Sequence, residues 1–416
     1  MIDTKEVAWY SQASEVTPPC PHFGPCGGCQ LQHLTYPSQL AAKRSTLEAL
    51  LHEANIPNVP AIQTHTADPW HYRNRIRLRV EPGPGNTFLV GYNRHASNEF
   101  LPIRTCPIAA PVLLHTAQTL STLALTNPTL AKWLTATAEL ELFTAPDETR
   151  LQLTFLLIAV PDLPADQIAR TFAQLCDALH QQLPQLAGAG ADLLRSIRAN
   201  SAKLLPSRRL AATFIAPTWG SPGLLYPVLL KGVTQHLWVS RGSFFQVNRY
   251  LLESLVSVAS TDLPPASKPN SLAWDLFAGV GFFTRVLSPH FARIIAVESA
   301  PASTADLAAA KLPNLRILTA TVLDFLRIAA LERDRPSLVL LDPPRAGLGL
   351  EAATLLTRIG PARIVYVSCD PITLARDLRA MLSSGYILAE LHLVDMFPQT
   401  SHQETVAILH RIGNQA

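Results

Sequence analysis

A cysteine followed by an acid and a proline, in VSCDP at residues 367–371, puts a sulfur nucleophile at what reads as a strand-to-helix turn. The thiolate is the form that attacks carbon, and a helix starting just after Cys369 is expected to lower its pKa. Two more turns carry carboxylates: Asp342 in DPPR (342–345), and Glu404 at the end of DMFPQTSHQE (395–404). Further upstream, GSFFQVN (242–248) offers Phe244 as a ring for stacking and Gln246 as an amide able to read a base edge. Singly, a buried structural thiol accounts for Cys369, core packing for Phe244 and Phe245, and a satisfied surface amide for Gln246. The convergence of these loops on one edge is what argues for a site. His402 reads as a loop histidine.

A second constellation begins with DLFAGVGFFT (275–284), where Gly279 and Gly281 let the backbone turn tightly and approach a ligand at a helix start. Glu298, at the end of the next expected strand, is placed to accept both hydroxyls of a ribose, and Asp324, after the third, to lie beside an adenine edge. Asp275 and Phe277 belong to the same turn. A nicotinamide dinucleotide fits less well, because Thr284 stands where its fingerprint needs a third glycine and Asp275 would face a pyrophosphate. An adenosyl group carrying a sulfonium welcomes that carboxylate.

Cys20, Cys26 and Cys29, crowded within PCPHFGPCGGCQLQH, and Cys106 in RTCPI give four thiolates, a complete set for a tetrahedral zinc or a four-iron cluster. Spacing alone does not choose between them. The three-plus-one arrangement, with Gly27 and Gly28 between ligands, leaves backbone room around a bulky cluster, and His22 and His33 are near enough to be alternative ligands.

The elements that must position these residues follow from periodicity. Strands are expected at 272–277, 293–298, 315–319, 337–342, 363–368, 386–394 and 404–410, with helices from 282 and at 302–311, 322–331, 350–359 and 371–383. That alternation means an α/β fold with a mostly parallel, doubly wound sheet, closed by a hairpin at one edge. Before the proline- and serine-rich stretch 261–271 the texture is less regular: strands at 151–160 and 224–230, a helix at 164–182, and another at 38–54 with apolar Leu40, Leu47, Leu50 and Leu51. Alternation in residues 72–80 puts Arg73, Arg75, Arg77 and Arg79 on one strand face and Ile76, Leu78 and Val80 on the other. Either a solvated charged face or phosphate contact explains them, with Trp70, His71 and Tyr72 beside them to stack on unpaired bases.

A hydrophobic fraction of 48% against 16% charged residues excludes disorder, and 416 residues at roughly 150 per domain make two or three domains. A net charge of +3 permits an acidic partner without demanding one. No apolar run reaches the roughly 18 residues of a membrane span, and residues 1–12 lack the basic start and apolar centre of a secretory signal, so a cytoplasmic protein that uses no membrane is expected.

DLFAGVGFFT, LLDPPRAGL, YVSCDPITLARDL, DMFPQTSHQE and FFQVN together resemble the RNA 5-methyluridine methyltransferase family, across about the last 175 residues. The resemblance implies a Rossmann-like class I methyltransferase domain that takes S-adenosylmethionine as methyl donor and a uridine in RNA as acceptor. Asp275, Phe277, Gly279, Gly281, Glu298, Asp324, Asp342 and Gln246 are then expected around the donor, and Phe244, Gln246, Asp342, Arg345, Arg73 and Arg75 around the RNA. Cys369 resembles the thiolate that adds to carbon 6 of uracil, and Glu404 the base that removes the carbon 5 proton. The cysteine segment resembles that of the iron-sulfur, ribosomal-RNA members, which turns the preference at Cys20, Cys26, Cys29 and Cys106 to [4Fe-4S] over zinc and the target to 23S rRNA over tRNA. A monomer is expected. The family's N-terminal β-barrel domain is expected to be absent, since 19 residues precede Cys20. Residues 1–37 then form a cysteine-rich cluster segment, 38–64 a helical segment expected to pack on the catalytic domain, 65–235 a central α+β RNA-binding domain, and 236–416 the methyltransferase domain.

One departure is Asp370, where the family has Asn. Capping the following helix would keep this carboxylate from raising the pKa of the neighbouring thiol. Other readings explain less. An amino-methyltransferase needs an aromatic where Arg345 stands and no cysteine; an inactive RNA-binding assembly factor needs no set of Cys369, Glu404 and glycine loop; a metal-dependent nucleic-acid-binding module leaves the C-terminal half unused.

Overall fold

Strand order decides where a site can form in an open sheet. The computed structural model describes residues 14–194, 214–230, 232–264 and 268–413, which fall into two units. Of these, 14–15, 34–67 and 227–413 make the first unit, and 16–33 with 68–226 the second. In chain order the first unit begins with α1 (Tyr36–Glu53) and β1 (Ile62–His65). The second holds β2 (Arg75–Pro82), β3 (Phe88–Asn93), β4 (Phe100–Pro102), α2 (Pro111–Leu123), α3 (Pro128–Ala136), β5 (Thr137–Thr144), β6 (Leu151–Leu157), α4 (Ile168–Gln182), β7 (Leu186–Leu193) and β8 (Thr218–Gly220). A two-stranded sheet of β9 (Gly223–Leu230) and β10 (Val233–Ser240) follows. The first unit then continues through α5 (Leu252–Ala259), β11 (Lys268–Leu276), α6 (Phe282–Leu287), β12 (Phe291–Glu298), α7 (Pro301–Ala308), β13 (Leu315–Thr319) and α8 (Val322–Ala329). Its last elements are β14 (Leu338–Leu341), α9 (Leu350–Ile359), β15 (Arg363–Ser368), α10 (Pro371–Leu382), β16 (Tyr386–Val394) and β17 (Glu404–Arg411).

The first unit is built on an eight-stranded sheet in the order β1-β16-β17-β15-β14-β11-β12-β13. From β13 to β15 all neighbours are parallel, and β17 runs antiparallel between β15 and β16. This is the doubly wound arrangement expected, with the order reversing between β11 and β14, where open sheets of this kind hold ligands beyond their carboxyl ends. β14 and β15 are buried at every position, which is why LVLL and RIVYVS read as unbroken runs rather than alternating ones. Beneath them Trp274, Tyr366, Leu378 and Leu409 share a core with Leu47 and Leu51 of α1. The stretch 261–271 lies inside this unit, although it marks the sharpest change of sequence texture, and its residues 265–267 fall outside the described ones, as do residues 1–13 of the N-terminal stretch.

The second unit has a seven-stranded sheet, β4-β3-β2-β5-β6-β7-β8, antiparallel except for β6 beside β7. Ile76, Leu78 and Val80 point into its core, as the alternation requires, and the arginines of β2 occupy the other face. Those arginines have partners within the sheet. Arg77 Nη2 lies 2.7 Å from Glu141, Arg75 stacks 4.2 Å over the Phe143 ring while facing Glu141, and Arg79 bonds Glu81, Asn93 and the Asn98 carbonyl. β5 supplies Glu139 and Glu141 to Arg75 and Arg77, while Arg73, ahead of β2, donates to the Arg75 carbonyl and about half of the Arg77 side chain (53%) stays exposed. Stacking by Tyr72 is overturned: its ring is fully buried, while His71 is exposed and Trp70 intermediate. No helix among the described residues is long and apolar enough to cross a membrane.

Candidate functional site

The carboxyl edge of the first unit's sheet gathers the turns singled out in the sequence. β11 ends in the glycine loop, and Gly279 and Gly281 adopt left-handed φ of +54° and +85°. At Gly281 a Cβ would also meet the Leu307 side chain, and the left-handed backbone is what demands glycine there. Glu298, at the end of β12, accepts from the backbone N–H of Gly279 at 2.9 Å and of Ala300 at 2.7 Å, which ties the loop to the next strand and leaves further lone pairs for a ligand's hydroxyls. Asp275 is fully buried, with one oxygen bonded by the Thr284 hydroxyl and the other without a partner among the described residues. Burial pushes its carboxyl up to about 7, against the bond from Thr284 and with the help of Glu298. Asp324 starts α8, where it bonds Thr321 at 2.7 Å and pairs with Arg327 on an exposed face.

Across the switch point, β14 delivers Asp342, whose Oδ2 accepts from Gln246 Nε2 at 3.1 Å. Burial, then Asp275, raises the Asp342 carboxyl to about 7. Glu404 reaches the same edge for a topological reason: β17 is antiparallel, so its first residue lies where β15 ends, with Thr405 opposite Ser368 and Cys369 next in line. Glu404 is buried, with Oε1 unpartnered among the described residues, and burial and Asp342 push it well above the usual carboxylate range. Asp275, Asp342 and Glu404 therefore form a desolvated acidic patch, an environment that favours a cationic ligand.

Cys369 is partly buried at the end of β15. The expectation of a lowered pKa does not hold: burial first, then Glu404 and Asp342, raise the thiol to about 11, with Arg345 pulling the other way. The helix start that was to lower it is already occupied, because Asp370 caps α10 by accepting from the N–H groups of Ile372 and Thr373, each at 3.0 Å. This is the cap expected of the Asp in place of Asn.

Phe244 is 64% exposed, unusual for a phenylalanine and suited to stacking, whereas Phe245 packs edge-on against Phe282 in the core. Arg345 is exposed and reaches His402 at 3.2 Å. Asp377, which no motif singles out, is fully buried on α10, accepts from the Tyr366 hydroxyl at 2.7 Å and the Leu348 N–H at 2.7 Å, and so fixes the turn after Arg345. A buried acid on a helix face has no distinctive spacing, so periodicity does not find it.

In the second unit the four cysteines converge. Burial pushes Cys26 and Cys106 up and Cys29 to about 12, and every pairing among Cys20, Cys26, Cys29 and Cys106 contributes a further upward push. Such crowding of desolvated thiols is unfavourable by itself and would be relieved by a positive centre. Residues 16–33 are held to the rest of the unit by Arg104 N–H donating to His22 Nε2 at 3.2 Å and His95 N–H to the Pro25 carbonyl at 2.8 Å, which engages His22 otherwise. Among the described residues no three His, Cys, Asp or Glu side chains are set for a single metal ion.

Comparison with known proteins gives the family. The sequence model of a family described as tRNA (Uracil-5-)-methyltransferase matches residues 232–412. The chain is 32% identical to the 23S rRNA (uracil(1939)-C(5))-methyltransferase RlmD of Alkalilimnicola ehrlichii over 99% of this chain and 86% of that protein. It is 31% identical to the protein of the same name from a Shewanella species, over 95% and 82%. In fold it is similar to the Pyrococcus abyssi tRNA (uracil-54, C5)-methyltransferase solved with S-adenosyl-L-homocysteine, with a TM-score of 0.67 and 23% identity over 94% of this chain and 86% of that one. The chain belongs to the RNA 5-methyluridine methyltransferase family, and is an S-adenosylmethionine-dependent RNA (uracil-5-)-methyltransferase.

Proposed function

We propose that the chain methylates carbon 5 of one uridine in 23S rRNA through a covalent adduct between Cys369 and carbon 6. The observation that carries the chemistry is the placement of Cys369 and Glu404 at neighbouring strand ends beside Asp342. Uracil carbon 5 is a weak nucleophile. Addition of the Cys369 thiolate to carbon 6 moves the ring electrons into an enolate, and carbon 5 then takes the methyl group from the sulfonium of the donor substrate. Glu404 removes the remaining proton from carbon 5, and the electron pair left behind re-forms the ring double bond as the carbon 6–sulfur bond breaks. Asp342 and Gln246 hold the uracil edge, Phe244 stacks on the ring, and Arg345 lies close enough to favour the thiolate. The donor's positive charge offsets the acidic patch, which adds to burial in raising the Cys369 thiol.

Gly279, Gly281 and Glu298 are assigned to the donor. Gly281→Ala is expected to weaken donor binding at least about tenfold by calorimetry, since the added methyl meets Leu307 and the backbone must leave its left-handed turn. Wild-type affinity would move the donor away from this loop.

The relatives named for 23S rRNA support that target, and the second unit is assigned to RNA binding. In a strain lacking this protein, mapping should show one 5-methyluridine lost from 23S rRNA. Loss from tRNA with 23S rRNA unchanged would establish the other reading, to which the family description points.

Cys20, Cys26, Cys29 and Cys106 are assigned to a [4Fe-4S] cluster, supported by their mutual crowding and by Gly28, where a Cβ would lie 3.4 Å from Cys26 Sγ. The cluster would tie residues 16–33 to the strands around Cys106; the methyl transfer needs no redox step. Anaerobically purified protein should be brown with roughly four irons per chain. Colourless, fully active protein holding one zinc would overturn this.

A further inference from the structure

Glu404 is assigned as the base, and among the described residues no hydrogen bond holds its Oε1, so the backbone on either side has a large part in its position. One side is the β17 ladder, where Glu404 stands opposite Val394. The other is the loop 395–403 that joins β16 to β17, and α1 grips that loop. Along one face of α1, at four-residue spacing, lie Gln39, Lys43, Leu47 and Leu51, all buried. The leucines join the apolar core, and the two polar residues meet the loop. Lys43 Nζ, on a side chain 2% exposed, donates to Asp395 Oδ1 at 2.6 Å and to the Phe397 carbonyl at 2.9 Å. The Tyr36 hydroxyl donates to the other Asp395 oxygen at 2.8 Å. Gln39 and Gln399 exchange two bonds, Gln39 Nε2 donating to Gln399 Oε1 at 2.9 Å and Gln399 N–H to Gln39 Oε1 at 3.0 Å. Gln399 has a φ of +68°, a left-handed conformation that a glutamine keeps only when its surroundings impose it. From the nucleobase-reading segment, Asn248 Nδ2 donates to the Met396 carbonyl at 3.2 Å.

We propose that Lys43 is a positioning residue for the reaction: through Asp395 and the Phe397 carbonyl it sets the loop that aims Glu404 at the carbon 5 proton. This rests on the reading of Glu404 as the base. An ammonium buried against a carboxylate is a costly way to gain stability and an effective way to impose one geometry, because each charge is held only while the other stays in place. Removal of a carbon-bound proton is sensitive to displacements of well under an ångström in the base. The effect of Lys43 should therefore fall on resolution of the adduct and spare its formation.

Lys43→Met keeps the length of the side chain and removes its charge. With full-length protein, substrate RNA and S-adenosylmethionine, kcat should fall about 30-fold while donor KM changes less than about twofold, and the protein–RNA adduct should persist. Tyr36→Phe should slow the same step about threefold, and it decides the matter if Lys43→Met does not fold. Slower adduct formation with normal resolution, in Lys43→Met or in Tyr36→Phe, overturns the proposal. A Glu404→Gln protein that traps no adduct refutes the base assignment by itself, before Lys43 is altered, and removes the proposal with it.

Discussion

Cys369→Ala protein is expected to bind S-adenosylmethionine as the wild type does and to transfer methyl groups at less than about a hundredth of the wild-type rate, a loss of about 2.7 kcal/mol or more in transition-state stabilisation. The two halves of this result come from different strands. The donor loop follows β11 and is braced by Glu298 of β12, whereas Cys369 ends β15. Without the sulfur, carbon 5 has no enolate behind it, and positioning alone cannot supply that electron density. Calorimetric titration of the donor and transfer of a tritiated methyl group to RNA measure the two halves separately. Residual turnover above about a hundredth would remove Cys369 as the nucleophile.

Glu404→Gln should produce the opposite failure. Addition and methyl transfer proceed, and the reaction then stops, because an amide cannot accept the carbon 5 proton. A covalent protein–RNA species should accumulate, migrate slowly in denaturing gels, carry the labelled methyl group, and be missing from the Cys369→Ala, Glu404→Gln double variant. The raised pKa of Glu404 adds a pH signature. The group becomes a base only as it loses its proton, so resolution of the wild-type adduct should accelerate as pH rises, and the glutamine variant should lose that dependence. Rapid release of methylated RNA by Glu404→Gln would transfer the role to Asp342, whose carboxyl near 7 is next to it, or to a water.

Most of the methyltransferase half was legible because its physics is local. Strands such as β14 and the centre of β15, buried on both faces, read as apolar runs, and the turns between them carry the glycines, acids and cysteine that a sheet edge exposes to a ligand. Other features depend on partners distant in sequence. The leucines of α1 mark a helix, but not that Gln39 and Lys43 share its buried face, where a loop some 350 residues later satisfies them. β1, with the sequence IQTH, has no apolar run, and enters the sheet only by pairing with β16. β5 follows α3 without a turn residue between them, so TAELELFT is easily taken as more helix; its Glu139 and Glu141 are what answer the arginines of β2. The state of Cys369 was misjudged for a related reason. A helix start two residues away is visible in the sequence, but the burial and the two carboxyls that outweigh it come from other strands.

The central claim is the bond between Cys369 and uracil, and mass spectrometry of the trapped species tests it most directly. Glu404→Gln protein incubated with a 23S rRNA fragment and S-adenosylmethionine, then digested with protease and nuclease, should yield a peptide spanning residue 369 that carries a methylated uridine on the cysteine sulfur. RNA methylated at carbon 5 with Cys369 unmodified at every time point, or the nucleotide attached to any other residue, would contradict the account.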